Sequence, residues 1–539
     1  MVTRYVNTPL RAILPIVCYI VAMVIGPGVA RAELPLHARI DHAINENAKG
    51  AFAERSTDAE FLRRIMLDLV GQIPSAAEVQ SFLKDPSPDK RAALIDRLLS
   101  DDRYADRMTD LFNVMLIERR SKHDEWLKFL RNSFATNKSW DQLVREILAP
   151  DAENEATRGS ALFYTARLEH YGQNPPDVPG LVRDVGRMFM GVDVQCAQCH
   201  DHLFINEYKQ VDYQGLYAFV SSATLRQDLK FPAVGETPLL QKLAFKSVFE
   251  GTEMKTGPRL PGQDEIPIPE IAKGDEYLVP PDKKLKTPGV LKFSPMRALA
   301  DTLPSSSNPL FAKNIVNRLW WMMMGRGLVD PLDLHHSDNP PSHPELFELL
   351  AKEMRDHQFD LKWMMRELAN SQTYQRSGLF PSDVTDTTAV SEYRFAIERP
   401  LSPTQLLASL RLALGETSTD AKTLSEMRDR FDKAFANPPK EPEVSVAPTV
   451  KAALFLSNDS VIMSWLTPRD GNTVDRLTKL EDNKLICEES YLHVLSRLPS
   501  EEEHAQIERF LQKFDGPRER AISHVVWALA TSTEFFVNH

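Results

Sequence analysis

The sequence predicts a mainly α-helical protein in which two helical domains flank a Pro/Gly-rich, partly β insertion. In the N-terminal half, apolar residues such as Phe61, Ile65 and Leu69 recur at helical spacing. The stretch 310–324 is again rich in apolar and aromatic residues. Between these regions, prolines and glycines interrupt the helical pattern throughout 223–294. Together, the three observations give the predicted order of the elements.

The first 32 residues are typical of a signal peptide. Arg4 and Arg11 precede an apolar run at 12–25, and a Gly-Pro-Gly turn ends that run. Residues 30–32, Ala-Arg-Ala, have the small-x-small pattern that signal peptidases cleave. The run is shorter than the ~20 residues that a membrane-spanning helix needs. We therefore expect cleavage after Ala32 and a periplasmic or secreted protein.

Residues 35–222 form the first predicted domain, which is helical. Both 75–78 and 139–142 have the spacing of a capping box, in which a hydroxyl and a side chain three residues later satisfy each other's backbone donors. Another helix, predicted over 181–190, ends at Gly191 because glycine tolerates the left-handed conformation that closes many helices. This helix leads the chain directly toward a cysteine-rich motif.

The second half of the chain consists of an insertion and a second helical domain. Residues 223–294 are predicted to be loop-rich or a small β subdomain, with short apolar runs such as 245–249 as strands. From 295 to 539 helices return as a C-terminal companion domain. Serines in 342–345 and 500–503 are predicted to cap two of its helices.

Composition and charge describe an acidic globular chain. The 539 residues are 42% hydrophobic and 26% charged, with a formal net charge of −11. An acidic surface disfavours binding to nucleic acids and to anionic membrane surfaces. No stretch after residue 32 approaches transmembrane length, so we expect no integral membrane span once the signal peptide is removed.

The motif Cys196-Ala197-Gln198-Cys199-His200 carries the main functional prediction. It has the C-x-x-C-H form of c-type haem attachment. On one helical turn, two thiols three residues apart reach both haem vinyl groups, and the next histidine directs its imidazole at the iron. We expect one haem c, held covalently by Cys196 and Cys199, with His200 as an axial ligand.

Two other interpretations of these cysteines stay open. Because His202 follows closely, Cys196, Cys199, His200 and His202 offer a set of zinc-type ligands within seven residues. Structural zinc usually draws its second ligand pair from a distant segment, which counts against this set. A disulfide between Cys196 and Cys199 is the third interpretation. Cys487 lies among apolar residues and is predicted to be a free, buried thiol.

Six stretches of the chain are similar to one protein family. They read FLRRIMLDLVGQIPSAAEV, VQCAQCHDHLF, DYQGLYAF, NPLFAKNIVNRLWWMMMGRGLVDPLDLHHSDNPPSHPELFELLA, FDLKWMMRELANSQTYQRS and VVWALATSTEFFVNH. The chain resembles planctomycete-type secreted proteins in which a cytochrome-c-like domain of unknown function precedes a companion domain of unknown function. The resemblance implies a cytochrome-like assignment that rests on Cys196, Cys199 and His200. It implies no established activity. Leu203 stands where the family usually has proline.

The sequence identifies no sixth iron ligand. His202 is too close to His200 to reach the opposite haem face, so the ligand must come from another segment. The candidates are the following histidines and methionines: His170, Met188, Met190, Met322, Met323, Met324, His335, His336 and His343. The three consecutive methionines at 322–324 are more typical of core packing than of iron ligation. His343 can equally be a residue at the start of a helix. Because most candidates lie in the C-terminal half, we expect that half to form a lid over the haem.

A second polar cluster precedes the helix that follows residue 343. Five residues within nine positions gather carboxylates and imidazoles: Asp330, Asp333, His335, His336 and Asp338. Such a set can bind a divalent cation or line a hydrolytic cleft, and a solvated polar loop is the alternative.

Two functions follow as hypotheses. The first is an exported c-type haem protein that transfers electrons to a redox partner protein. The second is an extracytoplasmic enzyme acting on glycans or other surface polymers, in which the Cys/His cluster binds zinc or is structural. This second hypothesis rests on the length of the chain, because an electron carrier with one haem needs only ~100 residues. No catalytic residues are identified for it.

Overall fold

The computed structural model describes residues 34–169, 175–249, 251–282, 284, 287–381, 383–384, 387–417, 420–442 and 450–539. The predicted signal peptide and His170 lie outside them. Within them the protein is mainly α-helical, as predicted, and its β-strands form only small two-stranded sheets. The described part of the chain contains no helix long and apolar enough to cross a membrane.

Ten helices precede the insertion in the described chain. They are α1 (Leu36–Asn47), α2 (Asp58–Val70), α3 (Ala76–Lys84), α4 (Lys90–Leu99), α5 (Asp102–Ile117), α6 (Asp124–Ala135), α7 (Trp140–Leu148), α8 (Leu162–Leu168), α9 (Val178–Met190) and α10 (Gln210–Val220).

Local signals explain where several of these helices begin and end. The capping box predicted at 75–78 is present, with Ser75 and Glu78 bonding each other's backbone. The one predicted at 139–142 is wrong, since Ser139 accepts no cap hydrogen bond. Its intended partner, Gln142, instead donates to Glu146 one turn ahead (3.2 Å). Helix α9 ends at Gly191 as predicted, with φ of 71°.

In the residues of the insertion that the structure describes there are three antiparallel strand pairs, which agrees with the predicted small β region. Strand β1 (Ala223–Leu225) pairs with β2 (Val234–Glu236), and β3 (Leu243–Lys246) pairs with β4 (Glu253–Thr256). Strand β5 (Tyr277–Val279) pairs with β6 (Val290–Leu291) with a shift in register. The run predicted at 245–249 overlaps only the end of β3.

Helices return after the insertion and continue to the end of the described chain. They are α11 (Pro295–Thr302), α12 (Pro309–Met324), α13 (Pro344–Asp356), α14 (Leu361–Asn370), α15 (Pro403–Leu414), α16 (Ala421–Phe435), α17 (Val450–Asn458), α18 (Ser460–Trp465), α19 (Thr473–Thr478), α20 (Asn483–Val494), α21 (Glu501–Lys513), α22 (Arg518–Ala530) and α23 (Thr533–Phe536). Strands β7 (Arg399–Pro400) and β8 (Val537–Asn538) pair antiparallel.

Two of these helix starts were predicted, and one of the predictions is wrong. Ser500 and Glu503 form the expected capping box at α21. At α13 the N-cap is His343 rather than Ser342, because Pro344 occupies the first helical position. The backbone N–H of Ser342 is used elsewhere, as a donor to the Leu328 carbonyl (2.8 Å).

The main hydrophobic core is shared by both halves of the chain. It joins buried side chains of α1 to α10 with those of α11 to α14, and Trp140 stacks on Phe311 with ring centroids 6.4 Å apart. A second core lies among α15 to α22 and also takes in Leu67 and Ile73. Because the main core spans the insertion, cutting the chain near residue 290 would expose apolar surface on both fragments.

Cys487 lies in the second core with a fully buried side chain and is a free thiol, as predicted. Burial raises the pKa of this thiol to about 11, so little of it is thiolate near neutral pH.

Thiol labelling will separate Cys487 from Cys196 and Cys199 in protein produced from Glu33 onward, which lacks Cys18. In protein made without haem attachment, we expect a thiol reagent to modify Cys196 and Cys199 quickly, because both are exposed. Cys487 should react only after denaturant is added. The counted thiols should therefore rise from two to three on unfolding. Rapid labelling of all three in native protein would contradict the buried position of Cys487.

Candidate functional site

The cysteine motif begins just after α9, where backbone hydrogen bonds join the chain to the C-terminal half. Gly191 accepts a hydrogen bond from the His335 N–H (3.0 Å), and Asp193 N–H donates to the Asp333 carbonyl (3.1 Å). A Cβ at position 191 would lie 2.8 Å from the His335 ring, so the close approach itself requires glycine. This pairing fixes the direction in which the chain enters the motif.

The motif itself forms a single 3₁₀ turn over Gln195–Gln198. Cys196 lies within this turn, and Cys199 directly follows its last residue. Both thiols are exposed, while Ala197 between them is fully buried and anchors the turn. Two exposed thiols therefore lie at one fixed turn.

Two side chains of helix α10 form hydrogen bonds with the backbone of the motif. The side-chain amides of Gln210 and Gln214 both donate to the Gln198 carbonyl, each at 3.3 Å. Gln210 also donates to the Lys246 carbonyl of β3 (3.1 Å), so one side chain joins the motif to the insertion. Neither glutamine was singled out from the sequence.

His200 and His202 have opposite hydrogen-bonding arrangements. The His200 Nδ1 lies 2.6 Å from the Asp201 carbonyl oxygen. Because a carbonyl can only accept, Nδ1 carries the proton, and the lone pair of the neutral ring is on Nε2. His202 instead accepts at Nδ1 from the Phe204 N–H (3.2 Å) and the Ile205 N–H (2.9 Å). Of the two, only His200 therefore keeps a free imidazole lone pair.

The insertion contributes one wall beside the motif. The Val248 N–H donates to the Cys199 carbonyl (3.0 Å), and the Phe249 ring lies 4.6 Å from the His200 ring, centroid to centroid. These residues are about fifty positions away in sequence and were not predicted as part of the site. No local signal in the sequence could have linked them to it.

Exposed apolar side chains surround the motif and form what we call the apolar patch: Leu203, Phe204, Val248 and Phe249. Their exposed fractions are 65%, 84%, 67% and 68%. Single exposed apolar residues are ordinary, but a group of large ones around a functional motif is typical of a surface that something covers. Val248 and Phe249 reach the motif itself, through the Cys199 carbonyl and the His200 ring.

The geometry does not assemble the four candidate zinc ligands. Among the residues that the structure describes, no group of three or more His, Cys, Asp or Glu side chains is placed to hold a metal ion. His202 would have to give up two backbone hydrogen bonds to become a ligand.

Most candidates for a sixth iron ligand are packed into the protein interior. Met188, Met190 and Met323 are buried by 98% or more, and Met322 and Met324 are 7% exposed. His343 packs against Tyr393 at the start of α13. The His336 ring packs against Tyr208 (5.8 Å between ring centroids), and Tyr208 in turn packs against His202 (5.9 Å).

The polar cluster at 330–338 is a structural ion-pair region rather than a cation site. Asp330 pairs with Arg326 (3.0 Å), while Asp333 pairs with Arg318 and with Arg187 (3.2 Å). His335 is buried, and burial lowers its pKa to about 3, with Arg318 adding to the effect. These contacts join the loop to α9 and α12.

Comparisons with known proteins identify two domains of unknown function. Residues 39–224 match a family described as PSCyt2, protein of unknown function (DUF1549). Residues 296–422 match a family described as PSD1, protein of unknown function (DUF1553). No curated protein and no solved structure matches the chain. The chain therefore carries these two domains of unknown function in this order, which confirms the family resemblance seen in the sequence.

Proposed function

We propose that the chain is an exported c-type haem protein that carries one haem at Cys196, Cys199 and His200 and passes electrons to a redox partner. The main support is that His200, whose Nδ1 is hydrogen-bonded to the Asp201 carbonyl and whose Nε2 lone pair is therefore free, directly follows two exposed thiols in the sequence. The charged N-terminal region and cleavage pattern of the first 32 residues support export.

Each residue of the motif has a distinct task in this proposal. Cys196 and Cys199 would hold the haem through thioether bonds, and His200 would bind its iron through Nε2. The Asp201 carbonyl holds the His200 tautomer and makes its Nε2 a stronger donor, as hydrogen bonds to the second ring nitrogen do at metal sites. When bound, the haem supplies reversible one-electron chemistry at its iron.

The apolar patch supports the same assignment. A haem fixed at Cys196 and Cys199 would cover Leu203, Phe204, Val248 and Phe249 and remove apolar surface from water, at about 25 cal/mol per Å². The acidic net charge of −11 also favours a basic surface on the redox partner, because opposite charges speed diffusional encounter.

The proposal is tested by producing the full chain with and without a c-type haem attachment system. Reduced pyridine haemochrome spectra and elemental analysis should show covalent c-type haem and one iron per chain only when the system is present. A colourless product of unmodified mass in both cases would overturn the proposal. One equivalent of zinc without iron would instead support the metal-site interpretation of the same cysteines.

A further inference from the structure

A cavity of about 300 Å³ lies between α5, the end of α9, α12 and the segment that contains β7. Its volume corresponds to about ten water molecules, at the lower end of the range for small-molecule sites. One wall is apolar, with Leu111, Val114, Met115, Trp321 and Met322. The cavity was not predicted from sequence and is distinct from the cysteine motif.

Most charged side chains of the cavity are already paired with each other. Arg187 donates to Glu118 (2.5 Å), and Arg399 donates to both carboxylate oxygens of Asp68 (2.9 and 3.1 Å). Arg318 pairs with Asp333 in the same way. These pairs form a neutral frame, because each positive charge lies against a negative one.

Arg107 and Asp110 do not take part in these ion pairs. Both line the cavity, and neither forms a hydrogen bond or ion pair with any residue that the structure describes. The Nε–H of Arg107 is buried and has no acceptor, which is costly for a charged donor. Burial is the largest effect on both groups: it lowers the pKa of Arg107 to about 10 against the attraction of Asp68 and Asp110, and it raises the pKa of Asp110 against the attraction of Arg428 and Arg107.

The positions of these two groups explain what they could bind together. They are three residues apart on α5 and therefore lie on one face of the helix, yet they do not pair with each other. A guanidinium binds a carboxylate through two parallel hydrogen bonds, and a carboxylate accepts from an ammonium group. A ligand bearing both groups beside an apolar substituent would satisfy Arg107, Asp110 and the apolar wall at once.

We infer that this cavity binds a small zwitterion with an apolar side chain, of the α-amino acid class. Arg107 holds the carboxylate, Asp110 holds the ammonium group, and the side chain rests between Met115, Trp321 and Met322. The site is independent of haem attachment, because its residues lie outside the cysteine motif.

Isothermal titration calorimetry on the full chain tests the inference with defined probes. L-leucine and L-methionine carry all three features, 4-methylpentanoate lacks the ammonium group, and 3-methylbutylamine lacks the carboxylate. We expect the two amino acids to bind, and both truncated probes to bind at least tenfold more weakly. Failure of all natural apolar amino acids to bind would overturn the inference. Equal affinity for 4-methylpentanoate and L-leucine would also overturn it.

Variants then assign the two contacts. Arg107→Gln and Asp110→Asn should each lower the affinity for L-leucine at least tenfold, a change of about 1.4 kcal/mol. Arg97→Gln is the matched control, because Arg97 is exposed on α4 and distant from the cavity lining. Unchanged affinity in Arg107→Gln would contradict the assignment. If that variant does not fold, Arg107→Lys, which keeps the charge but loses the bidentate geometry, should still weaken binding, and unchanged binding would contradict it equally.

Discussion

Protein that carries both Cys196→Ala and Cys199→Ala will lack covalently bound haem when it is produced with a haem-attachment system. Each thioether bond requires a thiol, and Cys196 and Cys199 are the exposed ones among the residues that the structure describes. Mass spectrometry and haem staining after denaturing electrophoresis should show unmodified protein. Cys487→Ala is the matched control and should keep its haem, because Cys487 is buried in the second core.

Substitutions of the two histidines extend this test to the iron. His200→Ala should leave both thioether bonds intact but shift the ferrous absorption spectrum, because the axial nitrogen is removed. His202→Asn should leave the spectrum unchanged, since the asparagine Oδ1 can accept the same backbone N–H groups that His202 accepts. Covalent haem in the double cysteine variant, or identical spectra for His200→Ala and the unsubstituted chain, would contradict the assignment.

Asp184→Asn will destabilise the fold by about 3–5 kcal/mol, the cost of removing one partner from a buried ionic network. The Asp184 side chain is fully buried in α9. Four guanidinium groups lie within 3.1 Å of its carboxylate: Arg120, Arg167, Arg183 and Arg187. Asparagine removes the carboxylate partner of Arg167 and Arg183 and one of the carboxylates that face Arg120 and Arg187. Denaturation by guanidinium chloride, followed by circular dichroism, measures the difference in the free energy of unfolding.

Asp106→Asn is the control for this stability experiment. Asp106 pairs with Arg131 at the surface of α5, where its side chain is 56% exposed, and an exposed pair contributes under about 1 kcal/mol. Comparable losses from Asp184→Asn and Asp106→Asn would contradict the claim that burial of the network makes the difference.

The same network predicts how stability depends on pH. Burial alone would raise the pKa of Asp184, but the surrounding guanidinium groups outweigh burial and hold it well below the ordinary value of 3.8. The unfolded chain therefore binds the proton first as pH falls. The contribution of Asp184 is complete above about pH 5 and is lost as pH falls below 3.8 toward the native pKa. The stability gap between the unsubstituted chain and Asp184→Asn should shrink over that acidic range.

Local sequence patterns predicted the helices well where a helix end depends only on nearby residues. The capping boxes at Ser75 and Ser500 and the glycine after α9 are such cases, because their hydrogen bonds close within a few residues. The capping box expected at Ser139 was wrong, because Gln142 bonds Glu146 instead. At Ser139 the sequence fits the capping-box pattern, but the Glu146 carboxylate competes for the Gln142 side chain.

The residues of the candidate site also fall into those that nearby sequence could predict and those that it could not. The three motif residues could be read from spacing, since their geometry is set within one turn. Phe249 beside His200, and the cavity around Arg107 and Asp110, depend on segments brought together by the fold. On a helix, Arg107 and Asp110 look like ordinary solvated residues, and only the packing of α12 and the β7 segment around them shows otherwise.

Because the main core is shared by both halves of the chain, its contacts can form only late in synthesis. Contacts of α1 and α2 close over very long loops: His37 bonds Glu367 across 330 residues, and Arg63 bonds the Phe535 carbonyl across 472. Since synthesis proceeds from the N-terminus, these first helices stay without their partners until almost the whole chain has emerged. The cysteine motif emerges before that moment, at a stage when Asp333 and His335, which bond the chain just before it, have not yet been made. Its position against the C-terminal half is therefore fixed only after that later segment has followed it.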